Sequence, residues 1–243
     1  MINNPVCIES NNFQNVWLDV VRRLMISHWE LRNLMVQIRN PGLLDQAFHA
    51  KMEAFAKEQG IRGPKHVAYT IFPHRLYDNR GDAPSLFTAY NKPQGMFDRI
   101  KTGWGTYFRR MTHYEGSTSV VNQLDNIIKA IKDRENLSKA AYSIVIQQPG
   151  GETVRPLGGP CLNYIAVQAE PGQEDQPLTL GLLAVYRNHD FLERAYGNYW
   201  GLCNLLMFLA KEVGGTSGPL TCVSSHAYVS GKKTALKQFT EGF

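Results

Sequence analysis

The chain has 243 residues, enough for one domain, taken here as 1–243, with a sizeable core. Hydrophobic residues make up 43% and aromatic residues 11%, a soluble composition, and no apolar run reaches the roughly 18 residues of a membrane span. The net charge is +5, with scattered basic residues apart from pairs such as Arg109-Arg110 and Lys232-Lys233, which suits a small anionic ligand as well as a nucleic acid.

Met1-Ile2-Asn3-Asn4-Pro5 has no basic stretch leading into an apolar one, so no secretory signal is read and a cytoplasmic location is expected. Apolar spacing from Phe13 to Met25 predicts a helix, with Asn11 as its cap and Gln14 three residues on. Leu31 to Arg39 reads as a strand stopped by Asn40-Pro41-Gly42. Residues 43–59 read as a helix ending at Gly60. Residues 61–104, broken by Pro64, Pro73, Pro84 and Pro93, read as a long loop-rich segment. Residues 119–133 return to helix, followed by a strand at Ala141–Gln147. Two strands, Cys161–Gln168 and Leu178–Arg187, flank a turn-rich link. Residues 199–213 form an apolar helix stopped by Gly214-Gly215. A last strand, Leu220–Val229, precedes a short polar tail. The expected fold class is α/β (α+β), a mixed sheet flanked by helices.

The four cysteines, Cys7, Cys161, Cys203 and Cys222, form no Cys-x-x-Cys pair and show no zinc spacing, so a reduced protein without a metal is expected. Cys203 and Cys222 lie in apolar helix and strand patterns and read as inert core thiols. Cys161 differs, because it follows Gly159-Pro160 at a strand start. A thiol there faces whatever the loop lines, and a nearby guanidinium would favour its thiolate. Arg187, at the end of the next strand, is the candidate neighbour. Asp190 follows, either as a helix cap or as a functional carboxylate, and then Asn198 at the mouth of the apolar helix. A carboxamide offers one donor and one acceptor together, matching the N3–H and O4 edge of uracil. It can also serve simply as a helix cap. His226 and Tyr228 alternate on a strand and so share a face.

Taken in order, Pro160-Cys161, Arg187-Asn188-His189-Asp190, Asn198 and His226-Ala227-Tyr228 resemble the blocks of thymidylate synthase and the nucleotide hydroxymethylases. In that family the blocks read Pro-Cys, Arg-Ser-x-Asp, Asn and His-x-Tyr, and the gap from Asp190 to Asn198 is the family's usual one. Val121-Asn122-Gln123-Leu124, Thr106-Tyr107-Phe108-Arg109-Arg110-Met111, and Arg32-Asn33-Leu34 through Pro41 resemble further family segments of the short, archaeal type. The likeness covers roughly residues 30–230 and is most specific in the C-terminal half.

The resemblance implies that Cys161 adds to C6 of a pyrimidine nucleotide such as dUMP. C5 then attacks a one-carbon unit, methyl or hydroxymethyl in the product. The carrier would be 5,10-methylenetetrahydrofolate or a related reduced pterin. It implies that Arg187 holds the phosphate, that Asp190 shapes the base and cofactor pocket, and that Asn188, Arg110 and Lys139 also bind the substrate. Asn198 would select uracil, and His226 and Tyr228 would bind the sugar hydroxyl. It also implies a homodimer whose sheets pack back to back, with no membrane and no nucleic-acid partner.

The departures are specific. The family's partner-derived Arg-Arg pair reads Ser138-Lys139, which exchanges bidentate guanidinium binding for a point charge. Residues 59–114 contain no glutamate where the family's catalytic one is expected, Glu53 and Glu58 lying earlier. These departures keep a second reading open, a diverged nucleotide-binding protein without turnover.

Overall fold

The computed structural model describes residues 5–92, 104–116, 118–133, 140–148, 159–172 and 176–243. Strand β1 (Val6–Ser10) opens the chain and was not legible in the sequence. It pairs in parallel with β2 (Glu30–Ile38), which continues to Ile38 as the alternation predicts. Between them lies helix α1 (Phe13–Ile26), whose cap is Asn12 rather than Asn11. The Asn12 side chain accepts the Asn15 N–H at 2.8 Å. Gln14 is thereby left to bond the Asp45 carbonyl and the Tyr196 hydroxyl.

Helix α2 (Gln46–Glu58) is capped by Asp45. The segment read as loop is instead largely helical: α3 (Pro64–Ile71), α4 (His74–Arg80) and α5 (Ala83–Tyr90). The prolines start helices here instead of breaking them. Pro64 and Pro84 sit in first turns, where a missing N–H costs nothing, and Pro73 is a cap. Pro93 and Ser138-Lys139 lie outside the described residues.

Helix α6 (Tyr107–Thr112) leads into a small ladder of β3 (Tyr114–Glu115) on β4 (Val120–Val121), so Val120 and Val121 precede the next helix rather than belong to it. Asn122 caps that helix, α7 (Gln123–Lys132). Then come β5 (Tyr142–Val145), β6 (Leu162–Glu170), β7 (Thr179–Tyr186) and the two-residue β8 (His189–Asp190). Helix α8 (Ala195–Glu212) begins earlier than its apolar stripe suggested. Strand β9 (Thr216–Tyr228) follows. The tail is no loop but helix α9 (Lys233–Glu241), with Leu236 buried and Phe239 packed on Phe55 at 4.6 Å.

Among the described residues the sheet is seven-stranded and mixed, in the order β1-β2-β9-β7-β6-β5 with β8 on β9. The expected α/β class, a mixed sheet flanked by helices, is therefore what the chain adopts. Leu34, Val36, Ile38, Leu180, Leu182, Ala184, Leu220 and Cys222 point into the helical layer and are buried. That layer is centred on α8, which α3 approaches closely. A Cβ on Gly197 would lie 2.6 Å from Val67 Cβ, so only glycine allows the packing. No described helix is long and apolar enough to cross a membrane.

One line of irregularity crosses the sheet near its functional end. On β2 the inward residues Leu31 and Leu34 are three apart, and Asn33 between them has φ 53°. On the facing β9 stretch the inward residues Ser224 and Ala227 are also three apart. A register shift at Leu162/Tyr164 continues the line in β6. A regular period of two would send Ser224, His226 and Tyr228 to the same face. The kink lets Ala227 take the inward place and leaves His226 and Tyr228 half-exposed.

Candidate active site

Strands β7 and β9 are parallel, so their C-terminal ends lie together, and antiparallel β6 begins beside them. Topology thus brings Cys161, Arg187, Asp190, His226 and Tyr228 to one end of the sheet, where α/β folds commonly place sites. Gly159 takes φ 72°, which turns the chain into Pro160 and Cys161. The Cys161 carbonyl accepts the Arg187 N–H at 2.9 Å. Arg187 Nε donates to the Pro160 carbonyl at 3.1 Å. The predicted cysteine–arginine neighbourhood therefore exists.

Cys161 is half-buried. Burial pushes its thiol above the usual value, the charges of Arg187 and Arg194 pull it down, and Asp190 pushes it up again. The arginine acts in the expected direction, but burial outweighs it and the resting group is the thiol. Below Cys161, the Tyr107 hydroxyl oxygen accepts the N–H groups of Cys161 at 3.2 Å and Leu162 at 3.4 Å. Burial raises Tyr107 to about 12, so it stays a neutral phenol. Trp104 packs on Tyr107 with ring centroids 4.8 Å apart.

Asp190 is not a cap of α8, whose cap position is Arg194. Asp190 Oδ1 accepts the Leu192 N–H at 3.0 Å and the Ser230 N–H at 3.4 Å, clamping the β8 turn to the chain beyond β9. Asn188 Oδ1 lies 3.3 Å from His226 Nδ1, and the His226 and Tyr228 rings stack at 5.0 Å. His226 Nε2 is buried without a hydrogen-bond partner among the described residues. Glu30, at 3.8 Å, is too distant to serve as one. Tyr228 is raised by burial, by Asp190 and by Cys161, which puts its phenol on the thiol's side.

Asn198 does not stand at the mouth of the helix and is not a cap. It lies inside the first turn of α8, buried, with Nδ2 3.1 Å from His189 Nε2. Arg110 is occupied elsewhere: Nε donates to the Trp104 carbonyl and Nη1 to the Ile146 carbonyl, each at 3.0 Å. Lys139 lies outside the described residues. Glu53 is also engaged, accepting the Lys65 N–H at 3.3 Å with His49 Nε2 3.6 Å away. Among the described residues, no three His, Cys, Asp and Glu side chains are grouped as metal ligands would be.

The sequence reading did not single out Arg194 or His189, and it noted Tyr107 only within a resembling segment. Arg194 carried little signal, because beside Glu193 it reads as one of an ordinary surface pair of opposite charges. His189 carried none, because a histidine in a connection is ordinarily surface.

No known family model matches the chain. Over 124 residues, 51% of this chain, it is 26% identical to a protein of Methanosarcina barkeri that bears the name "Putative thymidylate synthase". A protein of the same name from Methanosarcina mazei is 27% identical over the same length. The chain spans about half the length of these curated relatives, 52% of each. This similarity supports kinship at the level of the thymidylate synthase superfamily.

Proposed function

We propose that the chain is a thymidylate synthase-like transferase, a cytoplasmic homodimer that adds a methyl or hydroxymethyl group to C5 of a uracil nucleotide such as dUMP. The observation that carries this reading is the convergence of Cys161, Arg187, Asp190 and Tyr228 at one sheet end, with the thiol half-buried between two guanidinium charges.

In this reading Arg187 and Arg194 attract the anionic nucleotide, and His226 Nε2, which makes no hydrogen bond among the described residues, accepts from or donates to the sugar hydroxyl. Half-buried Cys161 gives its proton to solvent, and Sγ forms a bond to C6 while the C5–C6 electron pair moves onto C5 and O4. Asn198 holds the N3–H and O4 edge. Tyr107 fixes the backbone that carries the sulphur. C5, now nucleophilic, exchanges its hydrogen for the incoming carbon, and breaking the S–C6 bond returns the thiolate. A reduced pterin such as 5,10-methylenetetrahydrofolate would supply, when bound, an electrophilic one-carbon unit at the formaldehyde level; a methyl product would also take a hydride from that pterin, a hydroxymethyl product only water. Trp104, half-exposed and packed on Tyr107, offers a flat surface suited to such a ring.

The test is tritium release from C5-labelled dUMP, which Cys161→Ser should abolish; unchanged release would falsify the proposal. A second reading, a nucleotide-binding protein without turnover, is favoured by the engagement of Glu53 away from the thiol. Tight dUMP binding by calorimetry with no C5 exchange would select it. The sheet face away from the helices carries the row Cys7, Met35, Val223, Val185, Tyr164 and Val145 across six strands. Met35 and Val145 are exposed there, which supports the homodimer.

A further inference from the structure

We propose that His189 is a positioning residue that fixes which way round the Asn198 carboxamide presents itself, and so sets uracil over cytosine. The proposal rests on the reading that Asn198 meets the base edge.

His189 is 1% exposed and makes two side-chain hydrogen bonds. Its Nε2 lies 3.1 Å from Asn198 Nδ2, and its Nδ1 lies 2.9 Å from the Ser224 hydroxyl. Of these two contacts, the one with Asn198 fixes the roles of the ring nitrogens. An imidazole without a proton to spare must donate through one nitrogen and accept through the other. An amide NH2 only donates, so the Nε2 that faces Asn198 Nδ2 accepts, and Nδ1–H is left to donate to the Ser224 hydroxyl oxygen. Burial drives His189 down to about 3, which keeps the ring neutral and this arrangement intact at every physiological pH.

The ring cannot rotate to exchange its edges. Tyr186 stacks on it at 4.1 Å with an interplanar angle of 3°, while Phe191 and Tyr199 close against it at 5.3 Å each. Tyr186, Phe191 and Tyr199 are themselves fully buried. The imidazole is therefore a fixed reference for the amide.

One Nδ2 hydrogen goes to His189. Oδ1 and the other hydrogen then form an acceptor–donor pair that matches N3–H and O4 of uracil. A reversed amide would offer the opposite order and match N3 and the 4-amino group of cytosine. An asparagine alone can read either ring; the histidine behind it removes the choice.

The test is calorimetric binding of dUMP and dCMP to the full chain and to variants whose fold is checked by circular dichroism. The wild type should favour dUMP by about tenfold or more, as expected when a wrong edge leaves polar groups unpaired. His189→Leu should bring the two affinities within about threefold, with dCMP gaining. His189→Gln, which can accept from Asn198 and donate to Ser224, should restore the preference. A folded His189→Leu variant that keeps the full preference overturns the proposal while leaving the site reading intact. Failure of the wild type to bind either nucleotide, or indifference of dUMP binding to Asn198→Ala, defeats the site reading and this proposal together. Nitrogen-15 NMR of the wild type needs no ligand and no variant. It should find His189 protonated on Nδ1 from pH 5 to 8, and a proton on Nε2 instead overturns the proposal.

Discussion

The Tyr107 hydroxyl oxygen accepts the backbone N–H of Cys161 at 3.2 Å, so helix α6 holds the nucleophile from beneath. The same oxygen serves Leu162 at 3.4 Å. Tyr107→Phe keeps the ring and removes the acceptor for both groups. The unfolding free energy should fall by about 1–3 kcal/mol, the cost of leaving such groups unsatisfied. Urea denaturation reads this directly, and an unmoved midpoint would show that the phenol is not the acceptor.

The ionisation of Cys161 is a balance that burial wins over two arginines. Alkylation of this thiol by iodoacetamide should therefore rise with pH and reach half its maximum above the ordinary thiol value of about 8.5. Removing Arg187 removes a charge that favours the thiolate, so Arg187→Ala should shift the profile further upward and slow alkylation at pH 8 several-fold. Peptide-resolved mass spectrometry separates Cys161 from exposed Cys7. A profile that moves downward in Arg187→Ala would refute the assigned direction.

His189 imposes an acid limit on stability. Its folded value of about 3 lies below the ordinary 6.5, because burial penalises the charged ring. Below 6.5 the unfolded chain takes up a proton that the folded chain refuses. The contribution is fully present above pH 6.5 and is lost as pH falls toward 3, at up to about 1.4 kcal/mol per pH unit. Buried His49 and half-buried His74 are shifted in the same direction and add to the slope. Urea unfolding at pH 7.5 and at pH 5 should show lower stability at pH 5, with a smaller difference in His189→Phe. Equal pH sensitivity in the two proteins would remove His189 from the account.

The open sheet face should associate two chains. Val185 sits mid-row, paired with Val223 and Tyr164. Val185→Glu places a charge in that row and should convert a dimeric wild type into a monomer by sedimentation velocity. A monomeric wild type would end the dimer proposal.

Much of the fold could be read from periodicity. Phe13 to Met25 and Leu220 to Ser224 show their buried faces as spacings of 3.6 and 2, which burial requires of any regular helix or strand on a core. The prolines misled because a residue that breaks a helix interior also starts one, and Pro64 and Pro84 are starters. Strand β1 escaped because an edge strand buries too little to leave a pattern.

The sequence by itself determined the order and spacing of the site: a thiol after Gly159-Pro160, a cation and a carboxylate three apart, an amide eight further on, and a histidine–tyrosine pair on one strand face. Arg187 to Asn198 lie in one short connection and His226 and Tyr228 on one strand, where chain geometry alone keeps residues together. Tertiary structure decided the rest. The kink through Asn33 and Ser224–Ala227 turned His226 and Tyr228 out of the core, and only strand pairing could do so. Packing set the sign of the Cys161 shift, because desolvation depends on every neighbour at once. Packing also placed Tyr107 under the thiol from a segment more than fifty residues away, and caged His189 behind Asn198.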